Sequence, residues 1–283
     1  MALKNLLLYL DDTKACAKRI DAALALADAH GAHMTALYCI AEFQRASWVM
    51  VPPEFHEKQR EGMEERAREA LQDFRGKAER WGVEYDTRTA RTNAETIADE
   101  LALHARYTDL VVLGQFDPDD PPIGGHHIPE QVVLSAGRPA LVVPYIGAPL
   151  EGGQPVFGRN VMVAWDAGRE AARAVNDAMP LLEKARHVDL VVVNPVKSAQ
   201  RHGAEPGADM ALQLARHDVE VTLDHVDARD MDAGDVILAR VSDRGSDLLV
   251  MGAYGHSRVR ELALGGVTRT VLEQMTVPVL FSH

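Results

Sequence analysis

Residues 6–27 read LLLYLDDTKACAKRIDAALALA, and residues 161–182 read VMVAWDAGREAARAVNDAMPLL. The two align without a gap. Each is a short apolar run ending at an acid, Asp11 or Asp166, followed by apolar residues at i, i+4, i+7, i+8 and i+11. In the first copy these are Cys16, Ile20, Ala23, Leu24 and Ala27; in the second they are Ala171, Val175, Ala178, Met179 and Leu182. The apolar run reads as a strand, and the spacing after it puts one buried face on a helix. The same strand–helix unit at both places means that one fold is written twice.

The ends of the two halves agree with this. Asp109-Leu-Val-Val-Leu-Gly114 mirrors Asp247-Leu-Leu-Val-Met-Gly252, and Arg138-Pro-Ala-Leu-Val-Val mirrors Val277-Pro-Val-Leu-Phe-Ser. Strands are expected near 4–10, 33–40, 83–89, 109–114 and 139–144, with helices near 13–30, 56–81, 93–106 and 128–136. The second half repeats the series, with strands near 160–165, 188–194, 219–226, 247–252 and 277–282. Its helices are expected near 168–186, 205–217, 232–244 and 266–275. Alternating strands and helices imply a parallel sheet covered on both faces. The fold class is therefore α/β, two repeated doubly wound domains of five strands each. The expected boundaries are 1–146 and 159–283, with 147–158 as a linker rich in glycine and proline.

The first half carries an extra region, Glu42 to Trp81, with Pro52-Pro53 and a strongly charged segment from Glu57 to Arg80. Its plain reading is a solvated helix laced with Glu–Arg and Glu–Lys pairs; the alternative is a lid or a partner-binding helix.

Composition narrows the function classes. The 283 residues are 47% hydrophobic, enough for real cores, and the net charge is −12. An acidic chain is a poor general binder of nucleic acid or anionic membrane, both of which call for basic patches. Leu6-Leu-Leu-Tyr-Leu10 is too short for a signal segment, and no run approaches a membrane span. Cys16 and Cys39 form no CxxC pair, which points to a reduced, cytoplasmic setting.

In a doubly wound sheet, ligands sit beyond the carboxyl ends of the strands. The second half brings Ala164-Trp165-Asp166, Val193-Asn194 and the loop from Gly252 to that edge. Asp166 would either accept hydrogen bonds from ribose hydroxyls or an adenine amine, or simply cap the following helix. Gly252, Gly255 and Gly265 punctuate a loop that ends at a helix start, Gly265-Gly266-Val267-Thr268. Such a loop can cradle phosphate, because glycine lets backbone approach and the first helical N–H groups are unpaired. It is neither a Walker A loop nor G-x-G-x-x-G. Thr268 and the cations Arg258, Arg260 and Arg269 favour phosphate; ordinary turn and cap glycines are the competing explanation.

Other motifs carry less. Gly255-His256-Ser257-Arg258-Val259 lacks the final glycine of a nucleophile elbow, so a hydrolase at Ser257 is a remote alternative. His126-His127 is the one adjacent histidine pair, without zinc-type spacing, and reads as loop histidines whose rings point apart. Cys16 and Cys39 read as inert core thiols.

With these residues in view, the chain resembles the universal stress proteins in their tandem form, over nearly its whole length. The nucleotide-binding members carry G-2x-G-9x-G-[S/T], and Gly252, Gly255 and Gly265 keep that spacing. The resemblance implies that Asp166 is the acid at the first strand's tip and that Val193 is the valine lying near the nucleotide. It also implies binding of an adenine nucleotide, ATP possibly with Mg²⁺. Gly266 departs from the pattern by removing a hydroxyl after the third glycine, and Tyr254 stands where His or Arg is common.

The first half departs further. Gly114 is kept, but Asp117 replaces the second glycine and the loop becomes Asp117-Pro-Asp-Asp-Pro-Pro122. Proline has no N–H to donate and carboxylates repel phosphate, so this copy is expected to bind no ATP. The expected protein is cytoplasmic, a stress-response sensor or regulator that binds ATP in the C-terminal domain and is at most a slow ATPase. A nucleotide-free protein–protein module with two vestigial pockets is the competing reading. The closing strands near 139–144 and 277–282 are expected to pair, giving an intramolecular pseudo-dimer capable of further self-association, with a regulatory protein as partner.

Overall fold

The computed structural model describes residues 2–42, 53–195, 205–228, 231–255 and 266–283. The chain divides into two compact units, Leu3–Arg138 and Pro139–His283 with Met1–Ala2.

The first unit runs β1 (Asn5–Leu10), α1 (Cys16–His30), β2 (His33–Glu42), α2 (Pro53–Trp81), β3 (Tyr85–Asn93), α3 (Ile97–Ala105), β4 (Leu110–Gly114) and α4 (Ile128–Ser135). Its strands are parallel in the order β4-β1-β2-β3, with Leu6 paired to both Met34 and Leu110. The stripe predicted for α1 is buried throughout: Cys16, Ile20, Ala23, Leu24 and Ala27. Burial pushes the Cys16 thiol above its ordinary range and the Cys39 thiol up to about 12, so both remain protonated core residues.

Helix α2 differs from the plain solvated helix expected. Met63, Ala67, Leu71, Phe74 and Ala78 form a buried stripe, and Phe74 meets Tyr85 edge-on with ring centroids 5.4 Å apart. Polar ties from the same helix reach the body: Arg66 to Asp12 at 2.9 Å and Lys77 to Asp21 at 2.9 Å. The charges that dominate its sequence lie mostly on the faces left over once that stripe has docked.

The second unit runs β5 (Ala140–Val143), β6 (Leu150–Glu151), β7 (Gln154–Pro155), β8 (Asn160–Ala164), α5 (Arg169–Leu182), β9 (His187–Val193) and α6 (Ala208–Ala215). It continues with β10 (Val221–Val226), α7 (Ala233–Arg244), β11 (Leu248–Gly252), α8 (Val267–Gln274) and β12 (Val279–Ser282). The order is β10-β9-β8-β11-β12-β5, parallel except for β5. The pairing expected between the two closing strands is present, antiparallel, with Val142 opposite Val279 and Ala140 opposite Phe281. Strand β12 is thus interior; Pro278 precedes the first ladder residue and removes no ladder donor. The stretch read as a linker carries the β6–β7 hairpin, turned by Gly152 and Gly153, both at positive φ.

The Asp that precedes the fourth strand of each repeat has a structural task. Asp109 accepts the N–H groups of Lys4 and Asn5 at 2.7 and 2.9 Å. Asp247 accepts those of Gly158, Arg159 and Asn160 at 2.7, 3.0 and 3.2 Å. Each acid ties the fourth strand to the start of the first. Burial pushes the Asp247 carboxyl above its ordinary range, with the three N–H donors pulling the other way. The folded chain then holds that proton more tightly than the unfolded one. This contribution to stability therefore grows as pH falls through the raised pKa and is complete below the unfolded value. Wild type is expected to gain denaturant midpoint relative to Asp247→Asn between neutral pH and about pH 4. A gap that stays constant, or moves the other way, contradicts this assignment.

Candidate functional site

Because β8 lies between β9 and β11, their carboxyl ends form one edge, and the residues expected there meet on it. Ala164, Val193 and Gly252 are the last residues of β8, β9 and β11. Trp165 extends β8 by donating its N–H to the Val191 carbonyl at 2.9 Å. Asp166 follows at the tip, exposed, and its Oδ1 accepts the Gly168 N–H at 2.7 Å. The acid therefore shapes the turn that leads to Gly168, the N-cap of α5, while standing at the open edge.

Gly252 is needed for close packing. A Cβ there would stand 2.4 Å from the Ala171 nitrogen and 2.5 Å from the Glu170 carbonyl carbon, both backbone atoms. The loop beyond it is tied to α8 by the Tyr254 N–H, which donates to Thr268 Oγ1 at 3.3 Å. Gly266 is the N-cap of α8, Val267 its first residue, and Thr268 is buried in its first turn. Gly265, Ser257, Arg258 and Arg260 lie outside the described residues. Arg269, read as a phosphate cation, pairs with Glu273 one turn along at 2.8 Å.

Backbone strain singles out the same edge. Among the described residues, four other than glycine have positive φ: Ala167 (59°), Asn194 (49°), Tyr254 (57°) and Asp218. The first three lie just beyond β8, β9 and β11. A left-handed residue with a Cβ costs roughly 1–2 kcal/mol, and such strain gathers where geometry serves a ligand. Next to this edge, an open cleft of about 370 Å³ is lined by Asn194, Pro195, His225 and Asp227.

Glu170 was missed in the sequence. It lies in the first turn of α5, its side chain only 10% exposed, and its Oε1 accepts from Arg169 at 3.1 Å. Its Oε2 would be 2.9 Å from a Cβ on Gly255. The gapless alignment places Ala15 at the same position in the first repeat, and that contrast was the signal available.

The first unit closes the corresponding edge with its own side chain. Arg19, aligned with Ala174, turns inward; its guanidinium pairs with Asp11 at 2.8 Å and its Nε donates to the Tyr9 carbonyl at 3.0 Å. Burial works against the charge, and Asp11 beside it more than restores it, holding the arginine firmly protonated. A Cβ on Gly114 would be 1.9 Å from Arg19 Nη1. The space left among Tyr9, Asp11, Gly114, Asp117 and Asp120 is about 10 Å³, room for one water at most. Lys14 N–H meets Asp120 at 2.7 Å, tying the acidic loop across the edge. The His126 and His127 rings do not point apart as expected: their centroids are 3.6 Å apart. No cluster of three or more His, Cys, Asp or Glu suited to a metal occurs among the described residues. No described helix is long and apolar enough to cross a membrane.

Comparison with known proteins follows the same division. The model of the Universal stress protein family matches residues 158–283. A universal stress protein of Synechocystis sp. is 46% identical over 48 residues, which span 17% of this chain and 17% of that protein. The solved structure of a universal stress protein from Archaeoglobus fulgidus matches at TM-score 0.73 and 17% identity, over 98% of this chain and 95% of that one. A Pseudomonas aeruginosa protein of unknown function matches at TM-score 0.56 and 15% identity, over 99% and 92%. At these identities the two structures establish the fold.

Proposed function

We propose that the chain, whose C-terminal repeat matches the universal stress protein family and whose fold matches that of a universal stress protein over its length, is a two-domain stress-response protein binding an adenine nucleotide. In this reading the ligand is ATP with Mg²⁺, held in the C-terminal domain (159–283), and the N-terminal domain (1–146) is its nucleotide-free partner. The carrying observation is the coincidence of Ala167, Asn194 and Tyr254 in strained backbone at the edge where Asp166, Gly252 and Thr268 stand. The fit is chemical as well: an exposed carboxylate for ribose or adenine, glycines at the phosphate loop, and a buried hydroxyl in the first turn of α8. In this reading the role is sensing or regulation, and any hydrolysis is slow.

Gly255 gives the direct test. Its φ is not left-handed and, among the described residues, the atom that would crowd a Cβ there is the carboxylate end of Glu170, which can turn aside, so Gly255→Val is expected to fold while filling the loop. The expected result is a melting temperature raised by Mg-ATP in wild type and unmoved in the variant. At ligand one hundred times Kd the wild-type gain is about 2.7 kcal/mol. If saturating Mg-ATP leaves wild type unmoved and the purified protein carries no nucleotide, the proposal is wrong. The second reading, an interaction module without nucleotide, is favoured by one observation: the Glu170 carboxylate beside the loop, which on its own would repel phosphate.

A further inference from the structure

The two repeats differ at the far end of their second and third strands. In the first, β2 and β3 stay paired through Ile40–Arg91, Ala41–Thr92 and Glu42–Asn93. In the second, the ladder of β9 and β10 ends at Val193 and Val226. The aligned registers, Asn5 beside His33 and Asn160 beside His187, put Asn194 in the place of Ile40 and Asp227 in the place of Arg91. Asn194 ends the ladder by turning left-handed, at φ 49°. Its N–H donates to the Val226 carbonyl at 2.7 Å, and its Oδ1 accepts the Ala228 N–H at 2.7 Å. The cleft of about 370 Å³ lies at this shortened end, lined by Asn194, Pro195, His225 and Asp227.

Its lining pairs a donor with an acceptor. Because Ala228 takes up Oδ1, the group that Asn194 can offer the cleft is Nδ2, a donor. Asp227 brings an exposed carboxylate, which only accepts. His225 serves as a wall: its Nε2–H donates to the Pro206 carbonyl at 2.6 Å, and its Nδ1 lies 3.8 Å from Glu205. The Asp227 carboxylate disfavours phosphate here, so a nucleotide enters this end base first. Along the strand order β10-β9-β8-β11, the cleft, Asp166 and Gly252 follow one another over two to three strand spacings of about 4.8 Å each. Base, ribose and phosphates come in that same order. Adenine presents an acceptor at N7 beside a donor, its 6-amino group, whereas guanine presents acceptors at both places. We propose that Asn194 and Asp227 select the base: the Asn194 amide donates to N7 and Asp227 accepts from the 6-amino group, so a 6-amino purine is taken and a 6-oxo purine refused. The inference rests on the nucleotide reading above and adds base selectivity to it. The first repeat lacks the pair, with Ile40 in one place and, in the other, Arg91 engaged by Glu64 at 2.7 Å.

The experiment is calorimetric titration of the full chain in MgCl₂ with ATP and with inosine triphosphate, its 6-oxo counterpart, for wild type, Asp227→Asn and Asn194→Asp. Wild type is expected to bind ATP at least about tenfold more tightly, within what one matched base edge supplies. Asp227→Asn changes an exposed residue at constant size, and its amide can turn to accept from an amine or donate to a carbonyl. It is expected to bind the two nucleotides alike. Asn194→Asp keeps the oxygen that holds Ala228 and suits left-handed backbone, but it loses the donor to N7, which both purines share. Both nucleotides should weaken by a similar factor, with the preference for ATP retained. No preference for ATP in wild type, an undiminished preference in Asp227→Asn, or wild-type affinities in Asn194→Asp overturns the proposal while leaving nucleotide binding intact. A wild type that binds neither nucleotide overturns the nucleotide reading, and this inference with it.

Discussion

Replacing Arg19 with alanine is expected to destabilise the chain by roughly 3–5 kcal/mol. The variant leaves the Asp11 carboxylate, 6% exposed, without its counter-charge, and it opens a void beneath Gly114. Thr13 still donates its N–H and hydroxyl to Asp11, at 3.0 and 2.6 Å, which softens the loss without removing it. Asp11→Asn combined with Arg19→Met removes both charges and keeps volume, and should recover most of the deficit, because the burden lies in an unpaired buried charge. Denaturant titration of the three proteins measures this. A single variant as stable as wild type, or a double variant no better than the single, would show that Arg19 is not the plug of this edge.

The second large effect is expected at Gly252. A valine there would put its Cβ 2.4 Å from the Ala171 nitrogen and 2.5 Å from the Glu170 carbonyl carbon. Neither atom can rotate away, so β11 and the first turn of α5 must separate. Overpacking of this kind costs about 1–3 kcal/mol or more. Nucleotide binding should be lost with it, since Gly252, Glu170 and the tip of β8 move together. Gly255→Val is the internal control, because its obstruction is the end of a side chain. Thermal melting with and without Mg-ATP should show Gly252→Val impaired in both respects and Gly255→Val in binding alone. Equal stability of the two variants would contradict the packing argument.

These positions show which parts of the molecule could be read beforehand. The strands and helices were legible because the repeat states each of them twice and their apolar spacing is regular. The edge occupied by Asp166, Val193 and Gly252 followed from the rule that ligands lie beyond parallel strand ends. Arg19 and Glu170 were not legible, since a charged residue in an amphipathic helix normally belongs to the wet face. Only its tertiary partner turns Arg19 inward. Helix α2 misled for the opposite reason: its buried stripe from Met63 to Ala78 was spaced correctly but hidden among charges. The left-handed residues leave no trace in composition, because Ala, Asn and Tyr are ordinary in loops.

The strand order has a consequence for how the chain is made. In each repeat the first strand synthesised is a central one, flanked in the end by the second and the fourth. Lys4 and Asp109, which hydrogen-bond where β1 meets β4, are 105 residues apart. At a synthesis rate of roughly 5–20 residues per second, β4 is made ~5–20 s after β1. The second repeat, whose Gly158 and Asp247 are 89 residues apart, repeats the delay. Twice in each round of translation, the last partner of a central, apolar strand is therefore made well after the strand itself.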